Sequence, residues 1–532
     1  MSSPAAAAAS SSIRATLRHR AFRALLSGGT FYFVGNAMQA MAAAWLMVEV
    51  SGSSFLAALV QTAVFLPMFL LALPAGVLAD TTDRRRLMLG SLVVQALLVA
   101  LMAALFLLGV AGAATLLVLT FLAGCCTAVL SPPWNSAIVD VVPRDELPQA
   151  ITAIGISYNS ARALGPALAG YVYALGGAGW VFVLTVLGVI ALFVTVRRHP
   201  PRPHPPSRLP AERLWGGMLS ALRFARHSET VLAQLVRVVA YSTAGSALWA
   251  LLPVIGQRQL GLGATGFGLL MGCLGTGAVM AGLAIGRIRA RLGLERLVLI
   301  GGVLFAGAMT VAALSHIRVL TYLALAIAGA SWMSVMSTYN TATQTSVPPW
   351  VRARATSMHT LCALGSFAIG SAFWGALSDL IGLTPALLIA AVLMAAGLLL
   401  AKPFPLRMGG LTEVTQATLS EDLFVAHQPD PEAGPVAVEI GYRVRAAAIP
   451  QFLDDVSQLR GPRKRDGATF WRVYRDLSDP SRYVERFIVT SWADYLHQRA
   501  RATLADQELE GALRAHLLPG EVPGMQHYIA ER

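Results

Sequence analysis

Apolar residues in this chain come in long unbroken runs. Phe55 to Leu78 holds only Gln61 as a strongly polar residue, and Leu87 to Val110 only Gln95. About twenty apolar residues make a helix that crosses the hydrocarbon of a bilayer. Twelve runs meet or approach that length: 25–49, 54–79, 87–109, 113–138, 149–174, 179–196, 231–255, 265–286, 296–315, 319–343, 355–377 and 384–401. After Lys402 the pattern changes. Residues 403–435 read as a linker with a short polar segment, and 436–532 read as a soluble module. There "VAVEIGYRV" alternates as a strand and "IPQFLDDVSQL" has helical spacing. "TFWRVYRDL" and "RYVERFIVTSW" are strands around the turn "SDPS". "ADYLHQRARATLADQELEGALRAHL" is one long helix, and "MQHYIA" closes as a strand. That order, βαββαβ, predicts an α+β ferredoxin-like fold.

Composition agrees with a bilayer as solvent. Of 532 residues 55% are hydrophobic and 13% charged, against about a quarter charged in soluble domains. The net charge of +13 does not point to nucleic acid, because the arginines cluster at the ends of apolar runs and form no single stripe. They alternate from loop to loop. One set of loops carries Arg84, Arg85 and Arg86, then Arg144, Arg197 and Arg198, Arg287 to Arg296, and Arg352 with Arg354. The other set, such as "SGSSF", "AGAAT" and "LGGAG", is short and nearly uncharged. Basic loops face the cytoplasm, so both termini are expected there in a multi-pass inner-membrane protein. The lead-in 1–24 reads as disordered and basic. The proline-rich segment "RRHPPRPHPPSRLPAERL" makes 197–230 a cytoplasmic connection between 25–196 and 231–402, six spans on each side. The four cysteines all lie inside apolar runs and show no metal spacing, so free thiols are expected.

The halves echo each other. Pro143 answers Pro348, and Gly165 and Gly170 answer Gly370 and Gly375, all at an offset of 205 positions. Gly76 answers Gly286 at an offset of 210. A nearly common offset argues for a duplicated six-helix unit.

"GVLADTTDRRR" (76–86), between the second and third spans, concentrates charge in a short gap. Gly76, Leu78, Ala79, Asp80, Arg84 and Arg85 resemble the signature loop of the major facilitator superfamily, with Thr81 and Asp83 as departures. Asp83, the entry "VPRDELPQA" and the long tail are more similar to the bacterial secretion-effector branch, which includes siderophore exporters similar to the enterobactin exporter. The resemblance implies twelve transmembrane helices in two six-helix bundles. It also implies that Asp80 meets the cytoplasmic start of a later span near Val351–Ser357, as a latch formed with Gly76, Asp83, Arg84 and Arg85. A carboxylate opposite a helix N-terminus is favourable, and Gly76 permits close approach. A bare topology signal explains the arginines and leaves Asp80 unexplained. The equivalent second-half loop has Ala290 in its place.

No phosphate-binding Gly-Lys loop occurs, and Lys402 and Lys464 are the only lysines. ATP hydrolysis and nucleotide cofactors are therefore not expected, and a secondary transporter or facilitator without cofactor or metal remains. "ARALGPALAG" (161–170) resembles the Gly-Pro motif that marks exporters in the superfamily, through Arg162, Gly165, Pro166 and Gly170. Charges within spans are functional candidates. Arg162 and Arg237 are candidates to attract an anionic or acceptor-rich substrate, although Arg237 is nearly shallow enough to snorkel. Asn36, Gln39, Trp134, Asn135, Asn159, Tyr241, Trp332, Tyr339 and Asn340 are further cavity candidates, each with the plainer use of bonding a neighbouring helix. Proton coupling has only the span-end carboxylates Glu49, Asp140 and Asp379 to draw on.

In the tail, "TSWADYLHQRA" is similar to the strand-to-helix junction of dimeric α/β barrels of the antibiotic-biosynthesis monooxygenase group. That resemblance sets Trp492 and His497 at a pocket and allows dimerisation through the tail. An enzyme would use Trp471 and Tyr474 beside them. A regulatory or ligand-sensing module needs neither. The expected partners are a small-molecule substrate and the lipid bilayer.

Overall fold

The structure is a computed structural model that describes residues 16–143, 146–199, 222, 225–417 and 429–531. The side chains at 73, 77, 80, 81, 139, 140, 148 and 353 lie outside the description. So do most of the basic connection 197–230 and most of the lead-in 1–24.

Each long apolar run becomes a helix. They are α1 (Arg20–Ser51), α2 (Ser54–Thr81), α3 (Arg84–Leu107), α4 (Ala113–Val141), α5 (Leu147–Gly176), α6 (Ala178–Arg198), α7 (Glu229–Val254), α8 (Ala264–Leu314), α9 (Arg318–Thr345), α10 (Pro349–Ile381) and α11 (Leu383–Gly397). Among the described residues, ten of these are long and apolar enough to cross a membrane. The exception is α5, whose middle is made polar by Asn159, Ser160 and Arg162. The 51-residue α8 covers two of the expected runs. It is broken at Gly293, whose φ of +75° and ψ of 174° are not helical.

Two compact units form, and each is described by itself. The first comprises Met1–Pro206, Arg237–Thr338 and Leu361–Leu400. Its helices pack through small residues, because dispersion between closely approaching backbones replaces the hydrophobic drive that lipid removes. α8 and α9 cross where a Cβ on Gly277 would stand 1.9 Å from the Ala326 carbonyl oxygen. A Cβ on Gly188 of α6 would stand 2.6 Å from the Phe31 carbonyl of α1. The loops at one end turn on left-handed glycines, namely Gly52, Gly109, Gly177, Gly261 and Gly382. That end is the glycine-loop end below, and the opposite one is the arginine-loop end.

The second unit comprises Ser207–Val236, Tyr339–Thr360 and Ala401–Arg532. In its tail, β1 (Val436–Arg443), α12 (Ile449–Gln458), α13 (Arg460–Asp466), β2 (Phe470–Arg475), β3 (Arg482–Val489), α14 (Trp492–Arg501), α15 (Leu504–Leu513) and β4 (Gly524–Ile529) follow in order. The sheet is antiparallel throughout, in the order β2-β3-β1-β4. Alternate residues of β1 and β3 are buried under the helices, with Phe452, Val456, Trp492, Tyr495 and Leu513 filling the core. The single long helix expected over 493–517 is two. Thr503 caps α15 and forms a capping box with Asp506, and these local hydrogen bonds outcompete helix continuation.

Candidate functional site

The first unit is built around the meeting of α5 and α8. Toward the glycine-loop end they touch backbone to backbone. A Cβ on Gly170 would lie 2.5 Å from the Ala264 carbonyl oxygen, one on Gly268 2.5 Å from the Pro166 carbonyl, and one on Gly275 2.5 Å from the Ala163 Cα. Gly165 faces α1 instead, against Ala37. The motif 161–170 is therefore a two-sided packing device. On the arginine-loop side of Ala163, Gly155 has nothing within 4 Å, and Ile151, Ile156 and Tyr158 are exposed.

Arg162 stands at that parting. It is exposed, yet it lies about 150° round the helix from the exposed apolar stripe of Leu164, Leu168, Tyr171 and Leu175. It therefore faces the gap between the α1 and α8 contacts and not the lipid side. Its guanidinium sits 5.9 Å from the Tyr158 ring centre. Tyr158 meets Phe33 edge-on at 5.3 Å, and Phe33 meets Trp134 at 6.0 Å. Each described carboxylate of this unit is engaged elsewhere. Glu49 accepts from Trp45 and Tyr173, Asp83 from the Arg86 amide, Glu146 pairs with His19, Glu295 with Arg237, and Asp379 caps α2.

Arg237 differs from its expected role. Its guanidinium donates to both carboxylate oxygens of Glu295, at 2.7 and 2.8 Å. Glu295 follows the Gly293 break, so the kink brings an acid to a buried arginine. Tyr241 and Trp332 also belong to packing. With Trp249, Phe305 and Phe367 they form one aromatic cluster, at centroid distances from 4.5 to 5.9 Å. Asn159 donates to the Gly155 carbonyl of its own helix. Asn135 is exposed. In the second unit Tyr339 is buried, and Asn340 accepts from Gln344 one turn on at 2.5 Å. Asn36 belongs to a polar network in which Tyr32, Gln95 and Thr127 join α1, α3 and α4. Tyr32 and Thr127 were missed, because a single polar residue in an apolar run does not show its neighbours. Gln39 is buried, and its Oε1 has no hydrogen-bond partner among the described residues.

The latch expected at 76–86 is described in part. The Asp80 side chain lies outside the description. Gly76 has nothing within 4 Å, so no close approach uses it in this conformation. Asp83 is the N-cap of α3, which gives a reason for a carboxylate where the superfamily loop has glycine. Arg85 donates to the Arg197 carbonyl at 2.9 Å. A carboxylate does hold a helix start, but at the glycine-loop end. Asp379 of α10 accepts from the Ser53 hydroxyl at 2.6 Å and from the amides of Ser54 and Phe55 at 2.8 and 3.2 Å. Nearby, Thr62 donates to the Ala368 carbonyl, Gly375 lies against Ala58, and Arg258 donates to the Gly52 carbonyl.

A membrane protein of paired helices around an arginine-bearing gap calls for comparison with transporters. The sequence model described as transmembrane secretion effector matches residues 11–532. The chain belongs to this family of the major facilitator superfamily. No curated protein matches it by sequence. Among solved structures it is similar to a bacterial homologue of the human lysosomal transporter Spinster, inward-facing and occupied. The TM-score is 0.58 at 16% identity, covering 73% of this chain and 97% of that one. It is similar to the nucleoside transporter NupG in a mutant form, with a TM-score of 0.59 at 14% identity over 72% and 99%. It is also similar to a bacterial homologue of the iron transporter ferroportin, with a TM-score of 0.55 at 17% identity over 71% and 98%. The secretion-effector chain therefore has the fold of these transporters.

The family match runs through the tail. There Trp492 is core, tilted against Tyr495 at a centroid distance of 5.3 Å, while His497 is exposed. The expected pair is thus split between core and surface. The histidine beside Trp492 is His527, bonded to the Tyr495 hydroxyl at 2.6 Å. A cavity of about 140 Å³ lies among Arg463, Asp466, Tyr495, Gln498, Arg499 and Met525 and includes neither expected residue. Trp471 donates to the buried Glu485, which also accepts from Tyr442 and Arg463. Tyr474 is exposed. The linker pairs with the tail, since Gln416 bridges Thr503. Arg501 lies over the Trp350 ring at 4.7 Å.

Proposed function

We propose that the protein is a secondary transporter that exports a small amphipathic molecule, such as a siderophore, secondary metabolite or drug, by alternating access. In this reading twelve spans form two six-helix halves, over 25–196 and 231–402. The ten apolar helices supply eleven spans once α8 is divided at Gly293, and α5 supplies the twelfth. In this reading the arginine-loop end and both termini lie in the cytoplasm, which the bias of basic loops supports. The observation that carries the proposal is the α5–α8 pair, packed backbone to backbone on one side of Arg162 and open on the other. That arrangement is closed toward the outside and open toward the cytoplasm, the state an exporter loads in. Export is favoured over import by the Gly-Pro sequence at 165–166 alone. The tail strand order β2-β3-β1-β4 supports a ferredoxin-like module. A role beside transport suits it better than catalysis, because Trp492 is core and His497 faces solvent.

Comparing a deletion strain with its complemented parent by untargeted mass spectrometry tests direction. A compound that accumulates in deletion cells and is depleted from their medium fits export. A compound depleted from the cells and left in the medium makes the protein an importer. Orientation is checked by labelling. Cysteines at Ser53 and Gly177 react with an impermeant reagent in intact cells, and one at Thr82 reacts only after lysis. Labelling of Thr82 from outside refutes the topology.

A further inference from the structure

We infer that the molecule handled at the α5–α8 parting is an organic monoanion carrying a flat apolar ring, its anionic group held by Arg162 and its ring by Tyr158. This deepens the transport reading above and rests on it. An arginine in the polar middle of a membrane helix needs a counter-charge or water, because hydrocarbon solvates a guanidinium poorly. Arg237 shows how this chain meets that need internally, through Glu295. Arg162 is treated differently, since the described carboxylates of its unit are all held by other groups, several at the two ends of the helices. The gap that Arg162 faces is the route by which an anion reaches it.

The neighbours narrow the class. Guanidinium is planar and matches a carboxylate with two parallel hydrogen bonds. The exposed ring beside it is Tyr158, with its phenol face turned to the cation. Phe33 of α1 meets that ring edge-on and is itself met edge-on by Trp134 of α4. The Ser157 hydroxyl is bonded to Thr30 at 2.6 Å, so α5 is pinned to α1 one residue from Tyr158. A fixed aromatic face next to a cation suits a planar ring whose charge lies in its own plane, because ring and carboxylate are then met together. A cationic ligand is opposed by Arg162, and a neutral one leaves it uncompensated.

The test uses the full chain in nanodiscs, with empty nanodiscs as the control for partitioning, and three probes: 1-naphthoate, 1-naphthamide and octanoate. The wild type is expected to bind naphthoate at least tenfold more tightly than naphthamide. Arg162→Gln reduces that ratio to within twofold, and Arg162→Lys keeps part of it. Tyr158→Leu lowers naphthoate affinity severalfold and leaves octanoate unchanged. A wild type that does not distinguish naphthoate from naphthamide overturns the inference without any variant, and so does a ratio that survives Arg162→Gln. Proteoliposome counterflow separates the two levels. Arg162-dependent naphthoate binding with no counterflow sinks the transport reading and keeps the site. Naphthoate counterflow undiminished in Arg162→Gln keeps transport and sinks the site.

Discussion

Two arginines that look alike in the sequence have different fates in the fold. Arg162 and Arg237 each stand in an apolar run with polar neighbours, and nothing within a few residues tells them apart. What separates them is Glu295, a residue 58 positions from Arg237 whose approach depends on the break at Gly293. Sequence patterns report neighbours along a helix and not across a kink, so the pair was not legible. Glu295→Gln leaves Arg237 buried without its counter-charge. Breaking a fully buried pair costs about 3–5 kcal/mol. Because the Glu295 side chain is 38% exposed, we expect about 1–3 kcal/mol after screening. The double variant Arg237→Gln with Glu295→Gln recovers most of that loss, and thermal unfolding of single and double variants checks it. A double variant that loses the sum of the two single losses means that the pair has no coupling. A second residue-scale expectation concerns the tail. Burial pushes the Asp466 carboxyl up to about 6, against the opposing pull of Arg465. Between about pH 4 and 6 the folded tail keeps a proton that the unfolded chain has lost. Stability from this group therefore falls as pH rises through that window, by about 3 kcal/mol at most. Denaturation of residues 403–532 at pH 4.5 and 7 should show a drop that Asp466→Asn flattens. An equal drop in both assigns the pH dependence to other groups.

At the scale of elements, apolar run length located the helices well, because bilayer thickness dictates length and few other patterns imitate it. Their ends ran on by a few residues. α10 begins at Pro349 where the apolar run suggested 355, since proline is well placed in a first helical turn. Which face packs on which neighbour was not legible. In 161–170 one motif serves two partners, with Gly165 against α1 and Gly170 against α8, and only the three-dimensional crossing reveals the division. The tail helix over 493–517 was misread for a different reason. The break at Thr503 rests on a side-chain cap, which an apolar pattern does not record. The seam between α5 and α8 gives a paired expectation. Gly275→Leu places a side chain where a Cβ already meets the Ala163 Cα at 2.5 Å, whereas a Cβ on Gly286 meets nothing within 4 Å. Overpacking typically costs about 1–3 kcal/mol, while a substitution in open space stays within about 0.5 kcal/mol. Gly275→Leu should therefore lose thermal stability and transport together, and Gly286→Leu should lose neither. Equal tolerance of both would mean that α5 and α8 do not pack tightly in the membrane.

At the scale of the whole membrane unit, the sequence pointed to a carboxylate latch at the arginine-loop end, and the structure places a formed one at the other. The expectation was drawn to Asp80 because its surroundings are strongly basic. Asp379 gave no such sign, lying at a span end among neutral residues. Its geometry is nevertheless specific. One carboxylate accepts the cap hydroxyl and two amides of the α2 start, where the helix dipole favours negative charge. It joins a helix of the first six to one of the last five at the end where the pair is closed. Asp379→Asn keeps the shape but removes the charge, and its NH2 cannot accept from an amide. The lost interaction is worth about 0.3–2 kcal/mol. Alternating states lie within a few kcal/mol of each other, so a loss of that size shifts their populations severalfold. Spin labels at Val110 and Ile317, both exposed at the glycine-loop end, report the outcome. The variant should show a larger population at long distance, with altered transport and normal expression. A distance distribution and transport rate both unchanged would reduce Asp379 to a local helix cap, with the closure of this end carried by the glycine contacts at Gly170, Gly268 and Gly375 alone.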